Sequence, residues 1–175
     1  MSQALEVVEK AAGKTRNFQD PPLEKWDPPL SGEIDIEIDS EGQWIHEGAP
    51  IHREAIVRLF ASILRRESDG HYYLVTPGEK WRLRVQRHPL MITDFDREGE
   101  DLLVTLNTGR RWRVDAERSL YLDSDCENVA VVRLPHGLTA LATRAAWLRL
   151  VEQAEERDGQ PGVSSAGQWF PLLPS

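Results

Sequence analysis

Cysteine is almost missing from this chain: Cys126 stands alone, which excludes an intrachain disulfide. Apolar runs of the roughly 20 residues that a membrane helix requires are missing too, and no charged-then-apolar-then-small leader opens the chain. These absences point to a soluble protein of the reducing cytoplasm. Lysine is scarce, with four among 21 basic residues, and 29 acids leave a formal net charge of -8. A field of that sign repels polyanions, so generic attachment to nucleic acid or to an anionic membrane is disfavoured. With 175 residues the chain can fold as one substantial domain or as two small ones without a covalent staple.

The charge that is present is segregated. Arginines gather in IVRLFASILRR, KWRLRVQRH and GRRWRVD, whereas acids dominate GEIDIEIDSEGQ, TDFDREGED and LDSDCE. Arginine offers a planar fork of donors suited to carboxylates and phosphates, so the pattern reads as acid-base pairing across strands in preference to a local anion site.

Along the chain, MSQALEVVEKAAGKTRNF has weak helical spacing interrupted by Gly13 and is expected to be a short helix or partly disordered. DPPLEKWDPPLSG repeats DPPL around Trp26; its prolines dictate an extended strap, with Leu23, Trp26 and Leu30 as anchors on the protein's own core. A polyproline ligand for a partner domain is the sharper reading of the same residues. GEIDIEID alternates isoleucine with acid and SEGQ carries turn chemistry, so with WIHEG it predicts a hairpin. HREAIVRLFASILRRE has apolar residues at three- and four-residue intervals and predicts an amphipathic helix. HYYLVTP, EKWRLRVQR, LMITDFDRE, DLLVTLNTG, RRWRVDA, RSLYLDSD and VAVVRLP then read as strands at antiparallel meander spacing. GLTALATRAAWLRLVEQAEER predicts a second long helix, and the tail VSSAGQWFPLLPS is expected to pack back through Trp169, Phe170 and Leu172.

Two echoes raise the prospect of duplication: QWIHEGAPIHREAIVRLFASIL with VAVVRLPHGLTALATRAAWLRL, and KWRL with RWRV. The expected fold is α+β: two related small antiparallel sheets or half-barrels, each covered by one long amphipathic helix. Residues 1–31 form the N-terminal segment and strap, 32–88 and 89–158 the two modules, and 159–175 the tail.

DPPLEKWDPPLSGEIDIEI, DSEGQWIHEGAPIHREAIVRLFASILRRE, DGHYYLVTPGEKWRLRV and VRLPHGLTALATRAAWLRLVE together resemble a proteobacterial family of domains of unknown function, over about residues 20–155. The resemblance implies a two-domain core with internal duplication and a C-terminal half similar to pleckstrin-homology-like folds. It also implies a groove between the halves that takes a protein or nucleic-acid ligand, and a role in signalling or regulation. Matching the family pattern are Trp44, Glu47, Gly48, Pro50, Arg53, Thr76, Glu79, Lys80, Arg133 and Arg144. Where the family pattern has an acidic pair before proline in many relatives, this chain has Arg87 and His88 before Pro89.

Catalytic and metal chemistry finds little purchase. His46 and His52 flank Glu47 at a spacing that is not a recognised metal-ligand pattern, and His71, His88 and His136 fall in separate turns or strand ends, so all five are expected to face solvent. Cys126 lies among acids, which suppress its thiolate, and reads as an inert thiol. No serine elbow or phosphate loop is present, and no cofactor is expected. The best positive feature is the pair of Arg/Trp strands. Trp81, Leu83 and Val85 share one face of KWRLRVQR and Arg82, Arg84 and Gln86 the other, while Arg111 and Arg113 oppose Trp112. The plain alternative pairs these arginines with Asp94, Asp96 or Asp115, each pair worth a fraction of about 1 kcal/mol.

The reading that follows is a non-catalytic regulatory protein that binds a protein or acidic peptide. The binding residues would be Trp44, Glu47, Arg53, Glu79, Lys80, Trp81, Arg133 and Arg144, with the arginines as anion contacts and Trp44 and Trp81 as flat apolar area. Single-stranded nucleic-acid binding through the Arg/Trp strands, and an enzyme using the interdomain cleft, are the alternatives.

Overall fold

In GEIDIEI every second residue is isoleucine, and the segment forms strand β1 (Gly32–Ile38) with Ile34, Ile36 and Ile38 at most 2% exposed. The computed structural model describes residues 5, 6, 8, 10 and 20–174. The chain divides into two units, Met1–Arg87 and His88–Ser175. In the first, β1 is followed by β2 (Trp44–His46), β3 (Ala49–Pro50), helix α1 (Glu54–Ser62), β4 (Leu64–Arg66), β5 (Tyr72–Val75) and β6 (Lys80–Val85). The β1–β2 turn is held by Asp39, whose carboxylate accepts from the N–H groups of Glu41 and Gln43 at 2.9 Å each. These strands make a six-stranded sheet in the order β3-β2-β1-β6-β5-β4.

The second unit comprises β7 (Leu90–Glu98), β8 (Asp101–Leu106), β9 (Arg111–Arg113), β10 (Leu120–Asp123), β11 (Val129–Arg133), β12 (Thr139–Ala142) and helix α2 (Arg144–Glu152). Its sheet runs β9-β8-β7-β12-β11-β10. Both sheets are therefore two antiparallel meanders joined through a central parallel pair, β1 with β6 and β7 with β12, in the same spatial order. The identity of the two orders carries the duplication.

Three expectations are corrected here. The sheets are mixed rather than antiparallel, because the parallel neighbours are not consecutive in sequence and need no short crossover between them. The helices are short, nine residues each. Beyond Ser62 the chain leaves α1 and becomes β4, which covers the edge of β5 and buries Leu64 opposite Leu74. At the second site LTALA is a central strand between β11 and β7, so its apolar run reflects burial on both faces; α2 begins only at Arg144, where the Thr143 hydroxyl accepts from the Ala146 N–H at 3.2 Å. Third, the equivalent strands are not those of the sequence echoes. QWIHEGAPIHREAIVRLFASIL holds the second and third strands of its sheet, VAVVRLPHGLTALATRAAWLRL the fifth and sixth of the other, and the KWRL and RWRV strands occupy sixth and third places.

After α2 come β13 (Glu155–Arg157), β14 (Gln160–Ser165) and β15 (Gln168–Pro171), a separate antiparallel sheet. Glu155–Arg157 is thus strand where the sequence reads as helix. Val163, Phe170 and Leu172 are buried, β14 touches β8, and the Arg157 guanidinium lies over the Trp169 ring at 4.3 Å.

Leu5, Glu6, Val8 and Lys10 are helical, with Leu5 and Val8 buried; the rest of that N-terminal stretch lies outside the described residues. The strap is anchored by Leu23, Pro21 and Pro28, all buried, with Trp26 half-buried. Leu30, expected as an anchor, is 50% exposed. Arg65 of β4 clamps the strap by donating from Nη1 to the carbonyls of Leu23 (2.9 Å) and Trp26 (2.8 Å) while its other nitrogens bind Glu67. Replacing Arg65 with leucine strips donors from two strap carbonyls and a carboxylate, so stability should fall by about 2 kcal/mol. Limited proteolysis should then cut within 20–31 sooner than in the native protein; an unaltered digestion pattern would show that apolar anchoring alone suffices.

Candidate functional site

Register decides what the Arg/Trp strands can do. On the polar face of the first sheet, β6 presents Arg82 and Arg84, and its parallel neighbour β1 presents Glu33, Asp35 and Glu37. Arg84 donates to Asp35 at 2.7 Å, and Arg82 lies 3.8 Å from Glu33 and 3.9 Å from Asp69. Tyr73 links the latter pair: Arg82 donates to its hydroxyl, which donates to Asp69. The Tyr73 hydrogen bond first, and the neighbouring charges after it, hold Asp69 below and Arg82 above their ordinary pKa values. Arg84 is raised chiefly by its hydrogen bond to Asp35.

Lys80 donates to Glu67 at 2.9 Å and lies 4.8 Å over the Tyr73 ring. Burial alone would raise the Glu67 pKa, yet the hydrogen bonds from Lys80 and Arg65 prevail and lower it. In the second unit Arg111 pairs with Asp96 (3.7 Å), and Arg113 with Asp101 (3.8 Å) and Asp115 (3.6 Å). Asp115 is lowered despite its partial burial by the Arg118 backbone N–H and the guanidinium charges. Asp94 pairs with Arg149 of α2 instead. The basic stripe is therefore largely neutralised across strands, and Trp112 is flanked by Arg110 and Arg118, 4.3 and 5.1 Å from its ring.

The expected binding residues are divided between the units: Trp44, Glu47, Arg53, Glu79, Lys80 and Trp81 belong to the first, Arg133 and Arg144 to the second. Trp44 and His46 do share a face, but it is the inward one: Trp44 is 3% exposed with its ring 6.3 Å from Phe60 of α1, so it offers no area to a ligand. Burying the larger ring takes His46 inward with it, contrary to its expected solvent position; its side chain is 10% exposed. Glu47 is exposed at a left-handed corner (φ 50°) preceding Gly48. Trp81 is half-buried over Gly32, whose φ of 149° and missing side chain let the ring approach; an added Cβ would sit 3.1 Å from it. Glu79 Oε2 and the indole nitrogens of Trp44 and Trp81 are buried without hydrogen-bond partners among the described residues. Arg133 donates to Ser119 at 2.8 Å and stacks on Tyr121 at 4.2 Å. Arg53 and Arg144 are exposed, and neither has a carboxylate partner among the described residues.

One constellation went unforeseen. His88, immediately before Pro89 and β7, is not at the surface. Its Nε2 lies 2.7 Å from Asp123 Oδ2 at the end of β10, and its Nδ1 lies 2.7 Å from the Thr139 hydroxyl of β12. The buried Cys126 thiol, in the turn after β10, donates to the same Asp123 carboxylate. These bonds, that from His88 foremost, hold the Asp123 carboxyl below its usual range. His88, Asp123 and Cys126 offer three ligand atoms, all within 4.8 Å of one another. Sequence spacing carries no signal of it, because the partners of His88 are 35 and more positions away.

Fold and site define a duplicated α+β protein of two topologically matched units with extensively paired surface charge. The family comparison agrees unit by unit: the DUF1285 N-terminal domain, a domain of unknown function, matches residues 21–87, and the DUF1285 C-terminal domain matches residues 89–172. The chain belongs to the DUF1285 family. A crystal structure of a DUF1285 family protein from Silicibacter pomeroyi DSS-3 is 34% identical over 95% of this chain and 94% of its own, with a TM-score of 0.84. Another, from Shewanella baltica OS155, is 31% identical over 69% of this chain and 92% of its own, with a TM-score of 0.59. None of the curated proteins matches the chain. No helix among the described residues is long and apolar enough to cross a membrane.

Proposed function

We propose that the protein is a non-catalytic, regulatory binding protein whose ligand is an acidic peptide or protein surface. The observation that supports this most is the outer face of α2. Arg144, Leu148 and Val151 fall at i, i+4 and i+7, with Leu148 51% and Val151 45% exposed, among the few large hydrophobic side chains left in water. An unpaired guanidinium beside two exposed aliphatic side chains suits a ligand that carries a carboxylate next to an apolar residue. In this reading the second unit acts as a pleckstrin-homology-like binding module, and Arg53 supplies a further unpaired cation on the first.

Panning a random peptide display library against the full chain tests the proposal. Enriched peptides should combine acidic with aliphatic residues, and both Arg144→Glu and Leu148→Asp should weaken their binding at least tenfold. Enrichment without acidic bias, or binding indifferent to both substitutions, would remove the reading. Loss of the same binding over a modest rise in salt, with single-stranded oligonucleotides competing, would favour nucleic acid instead.

A further inference from the structure

We propose that His88, Asp123 and Cys126 form a binding site for a single divalent transition-metal ion of the Zn2+ type. The donor set is imidazole nitrogen, carboxylate oxygen and thiolate sulfur, the three ligand classes that tetrahedral zinc takes from proteins. Two ligands are anions once bound, so a dication is neutralised in place. Asp123 Oδ1 already accepts from the Asp125 N–H at 2.9 Å, which leaves Oδ2 as the coordinating atom and fixes its direction. Thr139 stands where an outer partner of a ligating histidine belongs: with metal on Nε2, the ring proton resides on Nδ1 and is donated to the Thr139 hydroxyl, 2.7 Å away.

Ligand atoms that now lie within 4.8 Å of one another must gather to roughly 3.3–3.6 Å around the ion. Bonds of about 2.0 Å at tetrahedral angles place nitrogen and oxygen ligands roughly 3.3 Å apart. The 2.7 Å contact between His88 and Asp123 must therefore open by roughly 0.6 Å, within reach of side-chain rotation. Met91, Val131 and Leu141 surround the thiol with apolar groups, and this shell keeps water from competing for the sulfur. The side chains of His88 and Asp123 remain 10% and 19% exposed, which leaves an entry path. Three protein ligands also leave a fourth position for water or for a ligand's own donor atom. The single 3-10 turn Ser124–Cys126, capped by the Asp123 carboxylate, brings Cys126 back over Asp123, and the left-handed Glu127 and Asn128 then lead the chain into β11.

Cys126 is the only cysteine of the chain, so thiolate-metal spectroscopy reports this site alone. Untagged, reduced full-length protein titrated with Co2+ should develop a thiolate-to-cobalt charge-transfer band in the near ultraviolet and intense visible bands of four-coordinate Co2+. Both should saturate at one ion per chain and be displaced by Zn2+. Cys126→Ser should abolish the charge-transfer band, His88→Gln should weaken Co2+ binding at least 100-fold, and Thr139→Val should weaken it about 10- to 100-fold. Native protein that shows no charge-transfer band at saturating Co2+, and no rise in Tm with Zn2+, overturns the proposal whatever the variants do. A band that survives in Cys126→Ser overturns it equally.

Discussion

Phe60→Ala should lower the stability of the first unit by about 3–5 kcal/mol, the range for emptying a fully enclosed aromatic site. Phe60 has no exposed surface and its ring meets Trp44, the largest side chain on the inner face of β2. Residues around it are held by sheet hydrogen bonding on one side and by a nine-residue helix on the other, so the walls have little freedom to collapse into the void. Urea denaturation followed by tryptophan fluorescence measures the loss, because Trp44 changes environment when α1 lifts away. Leu148→Ala on α2 is the matched control and should change stability by no more than about 0.5 kcal/mol, since that side chain is half in water. A Phe60→Ala loss below about 1 kcal/mol would mean that α1 contributes little to its sheet.

That contrast bears on how much of the architecture was legible in the residues. Strand alternation was: Ile34, Ile36 and Ile38 go inside and their acidic neighbours outside, as period two requires. The family was legible as well, from segments such as WDPPLSGEIDI and LVTPGEKW. Strand order was not, because the parallel contacts of β1 with β6 and β7 with β12 join segments dozens of residues apart, and no local pattern encodes a partner at that distance. The start of α2 was mistaken for a physical reason. Leu138 and Leu141 keep helical spacing with Ala145 and Leu148, yet a central strand with both faces buried carries the same apolar density, and only the cap at Thr143 separates the two.

Site residues divide along the same line. Neutralisation of Arg111 by Asp96 within the β7-β8-β9 meander, and of Arg113 by Asp115 two positions further on, could be anticipated because these partners are local in sequence. The partners of Arg82 and Arg84 could not, since Glu33 and Asp35 reach them only through the non-local pair. His88, Asp123 and Cys126 are the extreme case: each looked inert by itself, and they meet because β12 brings Thr139 beside β7 while β10 returns two strands further out. Reading Trp44 as a ligand surface failed for a simpler cause: shared orientation with His46 was right, and the inner side was the one that the larger ring demanded.

Ser165→Val should cost about 3 kcal/mol, although it exchanges a hydroxyl for two methyl groups inside an apolar setting. Ser165 of β14 has no exposed surface; its hydroxyl accepts from the Leu102 N–H at 2.7 Å and donates to the Val114 carbonyl at 2.6 Å. Leu102 is the second residue of β8 and Val114 follows β9, so one small side chain bolts the last sheet to two neighbouring strands of the preceding one. Valine leaves no void and adds one methyl group to a closed site, but it leaves a buried donor and a buried acceptor unpaired, and each carries a desolvation penalty of about 1–3 kcal/mol. Native-state hydrogen exchange separates this polar bolt from simple packing: the Leu102 amide should lose protection in Ser165→Val by more than amides at the centre of β7, which share the global loss. If instead both classes of amide change equally and stability falls by less than about 1 kcal/mol, burial of Val163 and Phe170 is what holds β14 in place, and the hydroxyl merely satisfies strand ends that water could serve as well.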